Sequence, residues 1–108
     1  REKEAYYLTP AARDAGTGLL NKRAWTEYTI DQLNRKDHST RWLVIIDIDD
    51  FKHINDTYGH IFGDQVIRRV AEIMQVLVGQ RGVIGRFGGD EYVILLEKVE
   101  TREQLKTL

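Results

Sequence analysis

The feature of this sequence that most limits the possible folds is an apolar run that stops abruptly at a group of aspartates. The run, residues 42–46 (WLVII), is flanked by polar residues, which predicts a central β-strand covered on both faces. Asp47, Asp49 and Asp50 follow it directly. Because side chains alternate along a strand, Asp47 and Asp49 are expected on one face at the strand's end.

Helices and a hairpin are predicted around this strand. In chain order the predicted elements are a helix over 22–35 with Asn21 as its N-cap, the strand over 42–48, a short helix over about 50–57, a long helix over 65–78, strands at 83–84 and 92–96, and the start of a helix at 101–108. This order predicts an α/β (α+β) fold whose sheet is largely antiparallel and flanked by helices. Residues 1–13 are predicted to be a lead-in or linker helix, and 14–108 the domain.

Composition excludes several classes of protein. The 108 residues include 16 Lys and Arg against 17 Asp and Glu, which argues against a nucleic-acid polymer or an anionic membrane as a partner. The chain has no cysteine, so disulfide scaffolds, iron–sulfur centres and Cys-ligated zinc are excluded. The longest apolar run is too short to cross a bilayer. A cytoplasmic location is expected for this segment.

Acidic residues stand where ordinary core elements would simply end. If the strand over 42–48 lies beside the predicted hairpin, Asp47 converges with Asp90 and Glu91 at one edge of the sheet. Such hard oxygen ligands suit Mg²⁺ or Mn²⁺. Alternatively, the strand-end aspartates cap the next helix and the hairpin-tip acids face solvent. The carboxylates alone do not decide between these.

The pair Gly88-Gly89 between the two hairpin strands also has two interpretations. The glycines could supply the positive φ that a tight hairpin needs. A turn without side chains would also let a nucleotide phosphate approach the backbone N–H groups. Known motifs for other sites are missing: a calcium EF-hand loop starting at Asp47 would place Lys52 where Gly is required, and there is no P-loop.

Three ordered segments together resemble one family. Residues 86–92 (RFGGDEY) resemble the signature of the GGDEF family, the diguanylate cyclases, with Tyr92 in place of the usual Phe. Residues 47–60 (DIDDFKHINDTYGH), with Gly63-Asp64, resemble its metal and nucleotide segment, and residues 14–23 (DAGTGLLNKR) resemble its entry motif.

The resemblance implies an activity and a fold. Family members condense two GTP molecules into cyclic di-GMP with release of pyrophosphate, on a palm-like fold related to ferredoxin-like nucleotide cyclases. Each subunit would bind one GTP, and two subunits must face each other, so a homodimer is expected. An N-terminal sensor or coiled-coil domain would precede this segment in the parent protein, which could be membrane-anchored.

Site residues are carried over from the same motifs. Asp47 would bind Mg²⁺ (or Mn²⁺ as a substitute) through its side chain, Ile48 would bind it through its backbone carbonyl, and Asp90 would complete the metal site. Asp90 is also implied as the base on the 3′-hydroxyl. Glu91 is the adjacent carboxylate at the catalytic turn, and its share of the metal binding stays open.

The implied nucleotide ligands lie upstream of the hairpin. Asn55 and Asp64 would bind the guanine edge, His60 would lie beside the same pocket, and Lys52 would contact a phosphate. The alternatives are structural: Asn55 as a helix C-cap, Asp64 as the N-cap of the 65–78 helix, and His60 as a turn residue.

Three departures from the family pattern qualify the resemblance. Gly16 stands where the entry motif usually has Leu, which would cost about 2–5 kcal/mol if that site is buried and would loosen the loop. Gly79 and Gly82 occupy the positions of the Arg-x-x-Asp feedback site, so no product inhibition through that site is expected. Residues 1–108 do not include the family's last segments, with the remaining strands and basic triphosphate ligands. An incomplete sheet and an inactive fragment are therefore expected outcomes, and a non-catalytic GTP-binding regulatory or dimerisation module is the alternative function.

Overall fold

The structure is a computed structural model that describes residues 2–35, 40–97 and 101–106. Its helices and strands in chain order are α1 (Glu2–Tyr7), β1 (Leu20–Asn21), α2 (Lys22–Leu33), β2 (Trp42–Asp47), α3 (Phe51–Tyr58), α4 (His60–Val78), β3 (Gly82–Arg86), β4 (Glu91–Leu96) and α5 (Arg102–Lys106). Two short 3₁₀ turns, Pro10–Ala12 and Gly79–Arg81, precede β1 and β3.

The strands form one mixed sheet in the order β1-β3-β4-β2. β4 pairs antiparallel with both β3 and β2, whereas β1 pairs parallel with β3. The α/β fold class predicted from the sequence is confirmed. The sequence pattern did not reveal β1, because two residues are too few to show an alternation of polar and apolar side chains.

Residues 42–46 form the predicted strand, but among the described residues it is neither central nor covered on both faces. In the described sheet β2 is an outer strand, and its exposure alternates: Leu43 and Ile45 are 60% and 63% exposed, while Val44 and Ile46 are half-buried. The two inner strands are β3 and β4, and β4 is the more deeply buried, because its residues 92–96 are all buried. A continuous apolar run does not reveal strand order, because strand order depends on pairing partners elsewhere in the chain.

The helix predicted at 65–78 begins five residues earlier, at His60. Gly59, with φ of 89°, forms the corner between α3 and α4. Gly63 is therefore inside α4 rather than before it. By contrast, α2 begins where predicted, and the Ala24 N–H donates to Asn21 Oδ1 at 2.9 Å, which confirms Asn21 as the N-cap.

The sheet separates two apolar clusters. On one face, α4 contributes Ile67, Ala71, Met74 and Val78, which pack with the alternate residues of β3 and β4. On the other face, α2 contributes Ala24 and Trp25. Within the described ranges, no helix is both long enough and apolar enough to cross a membrane.

Candidate functional site

The predicted convergence of acidic residues depends on how β2 and β4 pair. Asp47 lies directly opposite Glu91 in the antiparallel register, and the Ile48 N–H donates to the Asp90 carbonyl oxygen at 3.0 Å. The strand over 42–48 therefore does lie beside the hairpin, as the acid-convergence prediction required. Asp47, Asp90 and Glu91 stand together at one end of two paired strands.

This arrangement places negative charges next to each other. Directly opposed residues share a face of the sheet, and like charges in such a pair repel. A cation close to Asp47 and Glu91 would offset that repulsion. Within the described part of the chain, no three Asp, Glu or His side chains gather into a complete metal site. A cation here would therefore take only a few protein ligands, with the rest from water or substrate.

The alternative that the strand-end aspartates cap the next helix with their side chains is wrong for Asp50. This residue is the N-cap of α3, yet its side chain makes no capping hydrogen bond. Its backbone is left-handed, with φ of 52° and ψ of 34°, and it is the one non-glycine residue with positive φ among those described. Asp tolerates this conformation better than most residues. The turn after β2 therefore adopts an uncommon backbone directly beside the acidic group.

The structural alternatives for Asn55 and Asp64 are both wrong. Asn55 lies inside α3, where its backbone carbonyl accepts the Gly59 N–H at 2.8 Å, and the C-cap is Gly59. Asp64 lies inside α4, whose N-cap is again Gly59. Helix capping therefore explains neither residue.

The corner between α3 and α4 brings the predicted nucleotide ligands into one neighbourhood. A Cβ at Gly63 would overlap the Asn55 side-chain oxygen and lie 3.0 Å from its Cγ. Gly63 thus lets the Asn55 amide lie against α4, next to Asp64. His60 is the exposed first residue of α4 rather than a loop residue, and Lys52 is exposed in the first turn of α3.

The Gly88-Gly89 turn does not need glycine for its own backbone. Neither residue has positive φ, so the interpretation that they supply this conformation is wrong. Nor does internal packing require them, because a Cβ at Gly89 would meet nothing within 4 Å and one at Gly88 only the Glu91 Cβ at 3.9 Å. Their common property is an outer surface without side chains.

Arg86 and Asp14 are site-adjacent residues that sequence reasoning did not single out. The Arg86 guanidinium donates to the carbonyl oxygens of Gly88 and Gly89 and to Asp14 Oδ2. These contacts join the entry turn to the hairpin across 72 positions of sequence. The available signal was only that both residues lie in segments that match family motifs.

The Asp14 carboxyl is held in its charged form. Partial burial by itself raises the pKa of Asp14, but hydrogen bonds from Thr17 and Arg86 and the Arg86 charge outweigh it, so the net pKa is below its usual 3.8. A lowered folded-state pKa contributes stability at neutral pH that is lost only as the pH falls through it. Gly16, in this same turn, is exposed, so the expected cost of losing a buried Leu does not apply there.

A cavity of about 420 Å³ lies away from these acids, and its lining includes Tyr7, Tyr28 and Arg13. Gly79 and Gly82, the positions predicted to correspond to the family's feedback motif, also line it, and neither carries a side chain there. The Tyr28 hydroxyl donates to Glu97 at 2.9 Å, and burial together with that carboxylate raises the pKa of Tyr28 to about 12.

Residues 11–108 match the family model for "Diguanylate cyclase, GGDEF domain". The chain belongs to the GGDEF family. It is 40% identical over 88 residues to the probable diguanylate cyclase DgcC of Escherichia coli K12, covering 80% of this chain and 24% of that protein. It is also 38% identical over 85 residues to the cyclic di-GMP phosphodiesterase PdeR of the same strain, covering 79% of this chain and 13% of that protein.

A solved structure is similar over nearly the whole GGDEF chain. The coiled coil and GGDEF domain of DgcB from Caulobacter crescentus, in complex with c-di-GMP, is 30% identical with a TM-score of 0.82. The similarity covers 99% of this chain and 56% of that one. The chain spans about a quarter or less of the length of the two curated relatives, DgcC and PdeR.

The last signature position of this GGDEF domain shows what a tyrosine can add there. Tyr92 is fully buried, and its hydroxyl donates to the Ile67 carbonyl oxygen in α4 at 3.0 Å. Burial raises the pKa of this hydroxyl, so it stays protonated as a donor. The bond joins the hairpin that carries Asp90 to the helix that carries Asp64.

Replacing Tyr92 by Phe is expected to lower the free energy of unfolding by about 1 kcal/mol, the usual net worth of one hydrogen bond. Urea unfolding of the two proteins measures the difference. Tyr58→Phe is the matched control, because Tyr58 is 64% exposed and should change stability by much less. Equal effects of the two substitutions would contradict a role for the Tyr92–Ile67 bond.

Proposed function

We propose that this domain is the catalytic domain of a diguanylate cyclase, which condenses two GTP molecules into cyclic di-GMP and releases two pyrophosphates. The observation that carries the proposal is the strand register that places Asp47 opposite Glu91 and Ile48 against Asp90, beside a turn whose outer face has no side chains. Family membership and the similarity to DgcC support it.

The donor set at this edge fits Mg²⁺, with Mn²⁺ as a substitute. The Asp47 and Asp90 carboxylates and the Ile48 backbone carbonyl would hold the ion. Mg²⁺ favours one or two carboxylates with water and substrate phosphate rather than a site made only of protein ligands, which suits an edge where, among the described residues, no three side chains gather into a complete metal site. When bound, the ion neutralises charge on the phosphates.

The acidic turn carries the proton chemistry in this proposal. The Asp90 carboxylate accepts the proton of one nucleotide's 3′-hydroxyl, whose oxygen then attacks the α-phosphorus of the other nucleotide while pyrophosphate leaves. Glu91, directly opposite Asp47, keeps the local field negative and favours the cation. The same step, repeated with the nucleotides exchanged, closes the ring.

The corner between α3 and α4 supplies nucleotide recognition. Asn55 offers an amide and Asp64 a carboxylate, a pair that matches the acceptor and donor groups on the guanine edge. His60 lies at the start of α4 beside them, and Lys52, three residues before Asn55, would contact a phosphate.

Two copies of the domain would act together, because each binds one GTP and the product contains two. A homodimer held by an N-terminal coiled coil or controlled by an N-terminal sensor fits this requirement, and the similar DgcB structure includes a coiled coil. The substrate is a cytoplasmic nucleotide, so the domain would work in the cytoplasm, whether or not its parent protein is anchored in a membrane.

One observation favours a second candidate function, a GTP-binding regulatory or dimerisation module without catalysis. A matching segment also occurs in PdeR, which is named for the opposite activity, phosphodiesterase. Such a module would bind GTP and influence a neighbouring domain.

A product assay separates the two functions. The full-length protein that contains this domain is incubated with GTP and Mg²⁺, and nucleotides are identified by mass spectrometry. We expect cyclic di-GMP, none with excess EDTA, and no corresponding product from ATP. Binding of GTP without any cyclic di-GMP, in Mg²⁺ and in Mn²⁺, would contradict the cyclase and support the regulatory module.

A further inference from the structure

We infer that Arg86, anchored by Asp14, is a positioning residue that sets the orientation of the Gly88-Gly89-Asp90 turn. The inference rests on the proposed function, since it assigns Arg86 and Asp14 a role in presenting this turn to a nucleotide. Neither residue is expected to touch the reacting atoms.

Each nitrogen of the Arg86 guanidinium has a separate partner. Nε donates to the Gly88 carbonyl oxygen at 3.1 Å, one terminal nitrogen donates to the Gly89 carbonyl oxygen at 2.8 Å, and the other donates to Asp14 Oδ2 at 3.0 Å. The Arg86 side chain is only 18% exposed. A lysine has a single nitrogen and cannot reproduce this planar fork.

Fixing the two carbonyls also fixes two N–H groups. In a trans peptide the C=O and the following N–H point in opposite directions, and the described chain has no cis peptide bond. The N–H groups of Gly89 and Asp90 therefore point away from Arg86. Among the described residues neither has a hydrogen-bond acceptor, so both are available to an anion such as a phosphate.

The anchor of Arg86 is itself rigidly held. Asp14 Oδ2 also accepts the Thr17 N–H at 2.9 Å and the Thr17 hydroxyl at 2.8 Å. The Asp14 backbone N–H donates to the Leu19 carbonyl at 2.7 Å, which closes the entry turn. Asp14 thus stays in place independently of the hairpin.

Gly16 leaves room for this contact. A Cβ at that position would lie 2.9 Å from the Arg86 nitrogen that binds Asp14. The Gly16 carbonyl also accepts from Arg68 Nε of α4 at 3.3 Å. The entry turn, the signature hairpin and α4 therefore meet at one polar junction.

The test compares Arg86→Lys and Asp14→Asn with the control Arg69→Lys, whose side chain is 71% exposed on α4. In the full-length protein with ¹⁵N-glycine labels, the order parameters of the Gly88 and Gly89 amides are measured, together with kcat and KM for GTP. We expect order parameters near 0.85 in wild type and in the control, and below about 0.6 in Arg86→Lys. In Arg86→Lys, kcat should fall about 10²-fold, with a smaller change in KM, because a displacement of about 1 Å has that effect. Asp14→Asn should lower the glycine order parameters and kcat as well, but by less than Arg86→Lys.

The outcomes distinguish this inference from the proposed function. Unchanged glycine order parameters in both variants would overturn the positioning role, whatever the activity. Loosened glycines in a protein whose wild type makes no cyclic di-GMP would support the positioning role and contradict the cyclase. A loss of activity that follows only a general fall in melting temperature, with rigid glycines, would also overturn it.

Discussion

Replacing Trp25 by Ala is expected to destabilise the domain by about 3–5 kcal/mol, the usual cost of truncating a large buried aromatic side chain. Trp25 is 6% exposed, its indole N–H donates to the Val83 carbonyl at 3.0 Å, and its ring packs edge-on against Phe87 at 5.2 Å. Since whole domains are stable by only about 5–15 kcal/mol, this loss is large. Urea unfolding measures it, and Leu33→Ala, at a position 59% exposed on the same helix, is the control that should cost much less.

Trp25 also packs closely against Gly85 of β3, so a second substitution tests the same contact. A Cβ at Gly85 would lie 2.6 to 2.8 Å from three atoms of Trp25, so Gly85→Ala should cost about 1–3 kcal/mol by overpacking. In the Trp25→Ala background the same substitution should cost less, because two of the three atoms it would overlap, Cγ and Cδ1, are gone and only the Cβ of residue 25 remains. Additive effects of the two substitutions would contradict this description of the packing.

Replacing Asp90 by Asn is expected to lower kcat for cyclic di-GMP synthesis by about 10²–10⁴-fold, the usual contribution of a general base. Asn keeps the size of the side chain but can neither accept the 3′-hydroxyl proton nor offer a charged ligand to Mg²⁺. Steady-state assays of the full-length protein measure the change. Glu72→Gln is the control, since Glu72 is an exposed carboxylate on α4 that pairs with Arg69, and its kcat should match that of wild type.

The Asp90→Asn substitution is expected to leave the fold intact. Asp90 is half-buried at the hairpin tip, and its backbone carbonyl, which accepts from Ile48, is unchanged in Asn. The melting temperature should therefore stay close to that of wild type. Full activity of a folded Asp90→Asn protein would exclude Asp90 as the base.

The features that were best predicted from the sequence are those that depend on residues close together in the chain. The start of α2 at Lys22 follows from the capping hydrogen bond between Asn21 and Ala24, residues close together in the chain. The convergence of Asp47 with Asp90 and Glu91 was also predictable, because one assumption, that β2 pairs with the hairpin, determines it.

Features that depend on distant partners were not predictable in the same way. The apolar run of β2 would have the same sequence on a central or an outer strand. Its position in the described sheet is determined by its strand pairing, and β4 is the one described strand with which it pairs. Gly63 suggested a helix start, but it lies within α4, where a glycine fits because the Asn55 side chain occupies the space that a Cβ would take. The contact between Asp14 and Arg86 joins segments far apart in the chain, and no periodic pattern records it.

Direct measurement of Mn²⁺ binding tests the central claim, that the acids where β2 meets β4 hold the divalent cation. Electron paramagnetic resonance reports free Mn²⁺ during titration of the full-length protein in the presence of GTP. We expect Asp47→Asn to weaken binding by more than about tenfold, since loss of a residue that only supports a metal ligand already costs 10–100-fold, and Glu72→Gln to leave it unchanged. Equal Mn²⁺ affinity in wild type and Asp47→Asn would contradict the metal site proposed for this domain.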